Sequence, residues 1–233
     1  MSALDTGPQT LAAWMEAFVA ALGEQFGNQL LFVGLQGSRA RGEAHPGSDI
    51  DVVVILEQAG PAELAAYRTL LDSLPQGDLV CGFVSGRGEL AAWDRADLFQ
   101  FYHDTTAYYG SLETLVPPLG RKDAQRAAWV GACGLYHACS HNYLHGRDPQ
   151  MLGELLKGVG FVSRADWFVQ TGEYLPTGQS LRAALPAAQM ALLDARGELA
   201  EKTGWDSRCD ALSLQLLDWA GGLIRQHGGH SSR

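Results

Sequence analysis

The chain has 233 residues, of which 46% are hydrophobic and 18% are charged, a composition typical of globular proteins. Its formal net charge of −9 argues against broad binding to nucleic acid, which needs a basic surface. No segment reaches the roughly 20 apolar residues of a membrane helix, and the N-terminus lacks the pattern of a signal peptide. The four cysteines lack metal-site spacing. We therefore expect a cytoplasmic protein with reduced thiols.

The first half of the chain alternates between helical and strand patterns. Apolar residues at helical spacing predict helices, and continuous apolar runs predict strands that are covered on both faces. The predicted helices are 8–22, 61–74 and a short one from Glu89, and the predicted strands are 30–35, 50–56, 79–84 and an aromatic edge strand within 101–110. This order predicts a small α/β domain.

A second domain is predicted after Pro117-Pro118, because two prolines followed by Gly120 interrupt regular structure. The predicted helices there are 123–145, 149–171, 179–185, 186–203 and 206–226, with Gly172 as a C-terminal cap. We expect domains at 1–116 and 121–228, the second an all-α bundle, and a frayed tail at 229–233.

The segment "QGSRARGEAHPGSDIDVVVIL", residues 36–56, contains two aspartates at the start of a buried strand. Residues i and i+2 of a strand point to one face, so Asp49 and Asp51 direct two carboxylates to the same place. Such carboxylates repel each other unless a cation lies between them, and their hard oxygens suit Mg²⁺ together with substrate phosphates. A turn-forming role explains Asp49 alone but not Asp51.

The upstream Gly-Ser pair supplies the phosphate side of such a site. Gly37 allows a tight turn and a close backbone approach, and Ser38 offers a hydroxyl and an amide. Arg39 and Arg41 add positive charge. Together with the aspartates, these residues predict a site for phosphoryl or nucleotidyl transfer.

Gly37-Ser38, ten residues and then Asp49-Ile50-Asp51 in an apolar strand resemble the signature of the DNA polymerase beta-like nucleotidyltransferase superfamily. The similarity is greatest to small bacterial members, the minimal, aminoglycoside and lincosamide nucleotidyltransferases. It implies an α/β (α+β) catalytic domain with a small mixed sheet. The helical half resembles, more loosely, the bundles of kanamycin- and streptomycin-type enzymes and of HEPN-like proteins.

The resemblance also implies a reaction. An acceptor hydroxyl on a small molecule, such as an antibiotic, attacks the α-phosphorus of ATP or another nucleoside triphosphate, and pyrophosphate leaves. Asp49 and Asp51 are the implied ligands of Mg²⁺ or Mn²⁺. The nucleotide-binding residues are then Gly37, Ser38, Arg39, Arg41 and Ser48.

Members of this superfamily usually carry a third carboxylate on the next strand. Asp78, at the first position of that strand, is the candidate here, and Asp104 is the alternative. Cys81 or Gly82 could equally occupy the expected position. The catalytic set is therefore predicted as Asp49, Asp51 and Asp78.

Four residues of the first bundle helix follow one another at steps of four, Cys133, His137, His141 and His145. They form one stripe along the helix, which could bind a transition metal, line a substrate cleft or be structural. We predict that His137 or His141 lies in the acceptor cleft across from the aspartates, with Asp104 as a further candidate.

A second class of function stays open from the sequence. The uncertain third carboxylate also fits an antitoxin-like or regulatory protein, which modifies a protein or RNA partner or binds nucleotide without turnover. The oligomeric state is likewise open, with a homodimer as one option.

Overall fold

The computed structural model describes residues 8–45 and 47–229. The chain forms two compact units, residues 1–94 with 101–118 and residues 95–100 with 119–233. The main division falls after Pro118, inside the segment where a domain boundary is predicted. The assignment of 95–100 to the second unit is not evident from the sequence.

Fourteen main elements make up the part of the chain that the structure describes. The helices are α1 (Pro8–Phe26), α2 (Gly37–Ala40), α3 (Pro61–Ser73), α4 (Arg87–Ala91), α5 (Arg95–Asp104), α6 (Arg121–His141), α7 (Pro149–Thr171), α8 (Gly178–Ala184), α9 (Ala187–Leu199) and α10 (Ser207–Gly228). The strands are β1 (Leu30–Leu35), β2 (Ile50–Leu56), β3 (Val80–Gly86) and β4 (Thr106–Tyr109). Short 3₁₀ turns at 27–29, 77–79 and 112–114 connect some of them.

The four strands form one mixed sheet in the order β3-β2-β1-β4. Strand β1 is antiparallel to both β2 and β4, and β2 is parallel to β3. The expectation of a small mixed sheet followed by helices is thus confirmed.

Strand β2 is buried on both faces, as its unbroken apolar sequence predicts. Val52 and Val54 pack with α1 and α3, where Phe18 and Leu70 belong to the same core. Val53, whose side chain alternates to the opposite face, is also fully buried. Within the strand only Asp51 is partly accessible to solvent, and Asp49, which directly precedes the strand, is exposed.

The second unit is a helix bundle in which α6 packs against α7 and α10, and α7 packs against α9. Helix α7 begins and ends at the predicted residues. Asp148 caps its first turn by accepting hydrogen bonds from the amides of Gln150 and Met151, and Gly172 ends it with a φ of +82°.

The predicted strand over 101–110 is wrong in its first half. Residues 101–104 complete α5, and strand structure covers only Thr106–Tyr109, although β4 does lie at the edge of the sheet. The aromatic residues favour a strand locally, but tertiary packing overrides that preference. Phe99 is buried against Ala124 and Ala128, and Phe101 contacts Phe83 edge to face at 4.9 Å.

Other boundaries differ from prediction by a few residues. Helix α6 ends at His141 and continues as a π-helical turn over Asn142–Gly146. All four cysteines are free thiols, as expected. Among the described residues, no helix combines the length and apolar character needed to cross a membrane. Residues 230–233 of the predicted frayed tail lie outside the described part.

Candidate active site

One edge of the sheet gathers the strand ends that carry the predicted site. Strand β1 ends at Leu35, which pairs with Val52 near the start of β2 and with Thr106 at the start of β4. Strand β3 runs parallel to β2, so its start lies at the same edge. The turn after β1, the two aspartates and the residues before β3 and β4 therefore come together.

Gly37 and Asp51 are in direct contact across this edge. Gly37 has a φ of +71°, and a Cβ atom placed on it would lie 1.8 Å from Oδ2 of Asp51. The amide of Gln36 donates a hydrogen bond to the carbonyl of Asp51 at 2.7 Å. Glycine suits position 37, because a side chain there would adopt an unfavourable backbone angle and would displace the carboxylate of Asp51.

Asp49 and Asp51 lie on either side of Ile50, which is fully buried. Asp49 is exposed, and Asp51 is partly exposed. Their carboxylates are hard oxygen donors that solvent can reach, which fits Mg²⁺ or Mn²⁺ that completes its shell with water and phosphate. Within 8–45 and 47–229, no three Asp, Glu, His or Cys side chains are grouped to hold a metal. A metal at this place would thus have two carboxylates as protein ligands, with water and phosphate as the others.

Arg39 is buried, with 5% of its surface exposed, and its guanidinium group shapes the loop before β2. Nε donates to the carbonyl of Asp49 at 3.0 Å and Nη2 donates to the carbonyl of Ser48 at 2.7 Å. The structure gives Arg39 the role of holding the backbone at Asp49. Its predicted contact with nucleotide stays a prediction.

Ser48 and Arg41 are also engaged inside this loop. The hydroxyl of Ser48 accepts a hydrogen bond from the amide of His45 at 3.0 Å, and the residue is buried. Nε of Arg41 lies 2.9 Å from Oε2 of Glu43. The charge of Arg41 is partly balanced by this carboxylate, and the roles of both residues toward nucleotide stay predictions.

The register of β2 and β3 decides which residue lies beside Asp51, and it is Cys81. Asp78 lies in the 3₁₀ turn Gly77–Leu79 before the strand and is exposed. Asp78 precedes Cys81 by three residues and lies outside the strand, so it does not lie opposite Asp51 in the register. The catalytic role of Asp78 stays a prediction, and the position next to Asp51 carries a thiol.

Asp104, the alternative carboxylate, ends α5 just before β4. A cavity of about 240 Å³ lies next to the connection between α5 and β4, which we call the α5–β4 corner. We call this cavity the β4 pocket, and its lining residues are Tyr102, His103, Thr105, Ala107, Leu112 and Glu113. No local sequence pattern predicts this pocket, because its walls come from a helix end, an edge strand and a 3₁₀ turn.

The β4 pocket contains three titratable groups. The hydroxyl of Tyr102 donates to Oε1 of Glu113 at 3.1 Å. A hydrogen bond from the hydroxyl of Ser111 lowers the pKa of Glu113. Burial lowers the pKa of His103, and the neighbouring Asp104 charge only partly opposes this effect. At neutral pH the pocket therefore combines the ionised carboxylate of Glu113 with the neutral imidazole of His103.

The histidines of α6 are exposed at His137 and His141, and Cys133 is partly buried. The rings of His141 and His145 lie 5.2 Å apart at 62°. Among the described residues the stripe does not form a metal site. These residues belong to the second unit and the aspartates to the first, and the predicted place of the histidines in an acceptor cleft stays a prediction.

Residues 15–80, which contain the Gly-Ser turn and both aspartates, match the family model described as a nucleotidyltransferase domain. Residues 15–80 are therefore a nucleotidyltransferase domain, which supports the placement in the DNA polymerase beta-like nucleotidyltransferase superfamily. The prediction from the spacing of Gly37, Ser38, Asp49 and Asp51 is thus confirmed, and the protein is a nucleotidyltransferase enzyme.

The fold extends this likeness beyond the nucleotidyltransferase domain. The chain is similar in structure to the spectinomycin adenyltransferase AAD(9) from Enterococcus faecialis, whose crystal structure contains ATP and spectinomycin. The TM-score is 0.55 at 15% sequence identity, and the match covers 91% of this chain and 98% of the other. No curated protein sequence matches the nucleotidyltransferase significantly. At this identity the likeness establishes a shared fold.

Proposed function

We propose that this nucleotidyltransferase transfers AMP from ATP to a hydroxyl group of a small-molecule acceptor. The observation that carries the proposal is the contact between Gly37 and the carboxylate of Asp51. It joins the turn suited to phosphate and the paired carboxylates suited to a divalent metal into one site.

The residues of the chain have distinct roles in this proposal. Asp49 and Asp51 would hold Mg²⁺ or Mn²⁺, which when bound neutralises phosphate charge and orients the triphosphate. Gly37 lets the phosphates approach the backbone, and Ser38 offers its hydroxyl and amide as donors. Arg39 and Ser48 keep the backbone at Asp49 in place through the hydrogen bonds described above.

The transfer forms a bond between the acceptor oxygen and the α-phosphorus and breaks the bond from that phosphorus to the departing pyrophosphate. The acceptor hydroxyl loses its proton, for which we propose Asp104, His137 or His141 as acceptors to be tested. The β4 pocket next to Asp104 offers room for part of the acceptor molecule at the same edge of the sheet.

The structural relative suggests where the search for an acceptor should begin. Its structure holds ATP and spectinomycin, so we propose to test spectinomycin and other aminoglycosides first. The purified protein is incubated with ATP, MgCl₂ or MnCl₂ and each acceptor, and released pyrophosphate and adenylylated product are measured. Pyrophosphate release that depends on one acceptor and on the metal is the expected result. ATP binding that no acceptor converts into product would contradict the proposal.

A second candidate function rests on Cys81. This residue lies beside Asp51 in the register, on the strand that usually carries a third carboxylate in the superfamily that this chain resembles. A protein without that carboxylate could bind nucleotide as a regulatory or antitoxin-like component and transfer nothing. Nucleotide binding by calorimetry, compared with transfer over an acceptor panel that includes candidate protein partners, distinguishes the two functions.

We also propose that the enzyme works in the cytoplasm. All four cysteines are free, including the exposed Cys81, which a reducing compartment would maintain. Fractionation of the producing cells, with a detection antibody against the chain, tests this placement.

A further inference from the structure

Gln36 connects the two parts of the active site through its backbone. Its amide donates to the carbonyl of Asp51 at 2.7 Å, and its carbonyl accepts from the amide of Ala40 at 3.4 Å. It also directly precedes Gly37, the residue with positive φ. The orientation of Gln36 therefore sets the path of the turn that lies against Asp51.

The side chain of Gln36 is anchored on the side of β1 that faces β4, opposite to β2. Nε2 donates to Oγ1 of Thr105 at 2.6 Å and to the carbonyl of Phe101 at 3.1 Å. The hydroxyl of Thr105 in turn donates to the carbonyl of Phe101. One amide group thus ties the turn after β1 to the corner between α5 and β4.

The corner itself is fixed on the sheet. Thr105 packs over Gly34 so closely that a Cβ atom on Gly34 would lie 2.5 Å from Cγ2 of Thr105. Leu35 and Thr106 pair in the next positions of β1 and β4. The acceptors of the Gln36 side chain are consequently held in place independently of the Gly37 turn.

The Gly37 turn is otherwise held by backbone hydrogen bonds within the loop, such as the one that the amide of Glu43 donates to the carbonyl of Ser38 at 2.8 Å. Helix α2 is four residues long, and no side chain caps its beginning. Its first amides have no acceptor within the helix. Arg39 holds the other end of the loop, at Ser48 and Asp49, and the side chain of Gln36 connects the start of the turn to groups outside the loop.

We propose that Gln36 is a positioning residue of the nucleotide site, which acts through Thr105 and Phe101 to hold the Gly37-Ser38 turn in the conformation that binds phosphate. The inference rests on the proposed function and adds a residue to it. It also makes the α5–β4 corner, next to the β4 pocket, part of the support of the nucleotide site.

The test uses variants of both partners of the hydrogen bond between Gln36 and Thr105. Gln36→Leu keeps the approximate size but removes the donor, and Thr105→Val keeps the shape but removes the hydroxyl. Thr105→Ser retains the hydroxyl and serves as the conservative rescue. Gln25→Leu, at an exposed position of α1, is the matched control for the glutamine substitution.

Two measurements are made on the full chain. The first is the Kd for ATP with MgCl₂, by calorimetry, after the wild-type protein has been tested with ATP, GTP, CTP and UTP. The second is hydrogen–deuterium exchange of residues 37–43 without nucleotide. Thermal unfolding of each variant verifies that it is folded.

We expect Gln36→Leu and Thr105→Val each to weaken binding of the preferred nucleotide about fivefold to tenfold, the contribution of one or two hydrogen bonds. The double variant should bind within twofold of the weaker single variant, since both remove the same tie. Exchange at 37–43 should accelerate in both single variants. Thr105→Ser and Gln25→Leu should behave as wild type.

Failure of the inference is distinguishable from failure of the proposed function. A wild-type protein that binds none of the four nucleotides contradicts the proposed function, and the role of Gln36 toward nucleotide is lost with it. A wild-type protein that binds, with variants of unchanged Kd and unchanged exchange at 37–43, overturns the inference alone. A drop in thermal stability without a change in Kd assigns Gln36 a structural role and also overturns it.

Discussion

The loop of residues 36–51 and the β4 pocket lie at the same edge of the sheet, but their polar groups are held in different ways. In the loop, the buried guanidinium of Arg39 donates to two carbonyls, and Asp51 lies against Gly37. In the pocket, Tyr102 and Glu113 pair at an exposed position. Breaking a buried polar contact costs more than breaking an exposed one. We therefore expect the loop around Arg39 to be more rigid than the pocket.

The largest effect should come from the carboxylates in the loop. Asp51→Asn and Asp49→Asn each remove one negative charge from the proposed metal site. Two unit charges about 4 Å apart at an effective dielectric constant of about 20 attract by about 4 kcal/mol, so the loss of one carboxylate from a divalent ion should reduce affinity on the order of a thousandfold or more. We expect metal-dependent ATP binding to be lost while the fold remains intact. Calorimetry with and without MgCl₂ measures the effect.

The control for the aspartate variants is Asp72→Asn, which neutralises an exposed carboxylate of α3. It should leave nucleotide affinity within twofold of wild type. Wild-type affinity for ATP with Mg²⁺ in either Asp49→Asn or Asp51→Asn would show that these residues do not hold the metal.

Gly37→Ala should have the next largest effect, because its Cβ would meet the carboxylate of Asp51. The positive φ alone costs about 1–2 kcal/mol in a residue with a side chain. Gly42→Ala shares that cost, with a φ of +70°, but its Cβ would meet nothing within 4 Å. We expect both variants to lose stability and only Gly37→Ala to lose ATP binding, as measured by denaturant unfolding and calorimetry. Equal ATP affinities of the two variants would contradict the contact between turn and carboxylate.

Arg39→Ala tests whether the loop depends on its buried cation. The variant leaves the carbonyls of Ser48 and Asp49 without their donors, which should cost about 2–4 kcal/mol of stability. Arg87→Ala, which breaks an exposed pair with Glu57, should cost less than about 1 kcal/mol. Urea unfolding of both variants gives the comparison. Similar losses would mean that the loop is no more firmly held than the surface.

The smallest effect concerns the β4 pocket and pH. Burial lowers the pKa of His103 in the folded protein, so the unfolded chain binds a proton there more readily. Stability from this residue is full above the ordinary histidine pKa and falls as the pH decreases through that value. His103→Gln should therefore lose less stability than wild type between about pH 7.5 and pH 5.5. Identical pH dependence of the unfolding free energy in the two proteins would contradict this environment for His103.

Prediction from sequence succeeded best where a pattern is local. The spacing of the Gly-Ser turn and the Asp pair predicted the superfamily, and the apolar runs predicted β1 and β2 at their observed bounds. It was less successful at 101–110, where aromatic residues suggested a strand. There, burial of Phe99 and the contact of Phe101 with Phe83 maintain a helix up to Asp104.

The sequence by itself predicted a glycine turn followed by a buried strand with acidic residues at its start, since alternation and glycine's conformational freedom are properties of the local chain. Only the tertiary structure decided which groups surround them. The parallel register put Cys81, rather than Asp78, beside Asp51. Folding also buried Arg39 against the loop and brought Thr105, 69 residues away in the sequence, to the side chain of Gln36. Such contacts depend on strand pairing and packing between distant segments, which a short sequence pattern does not encode.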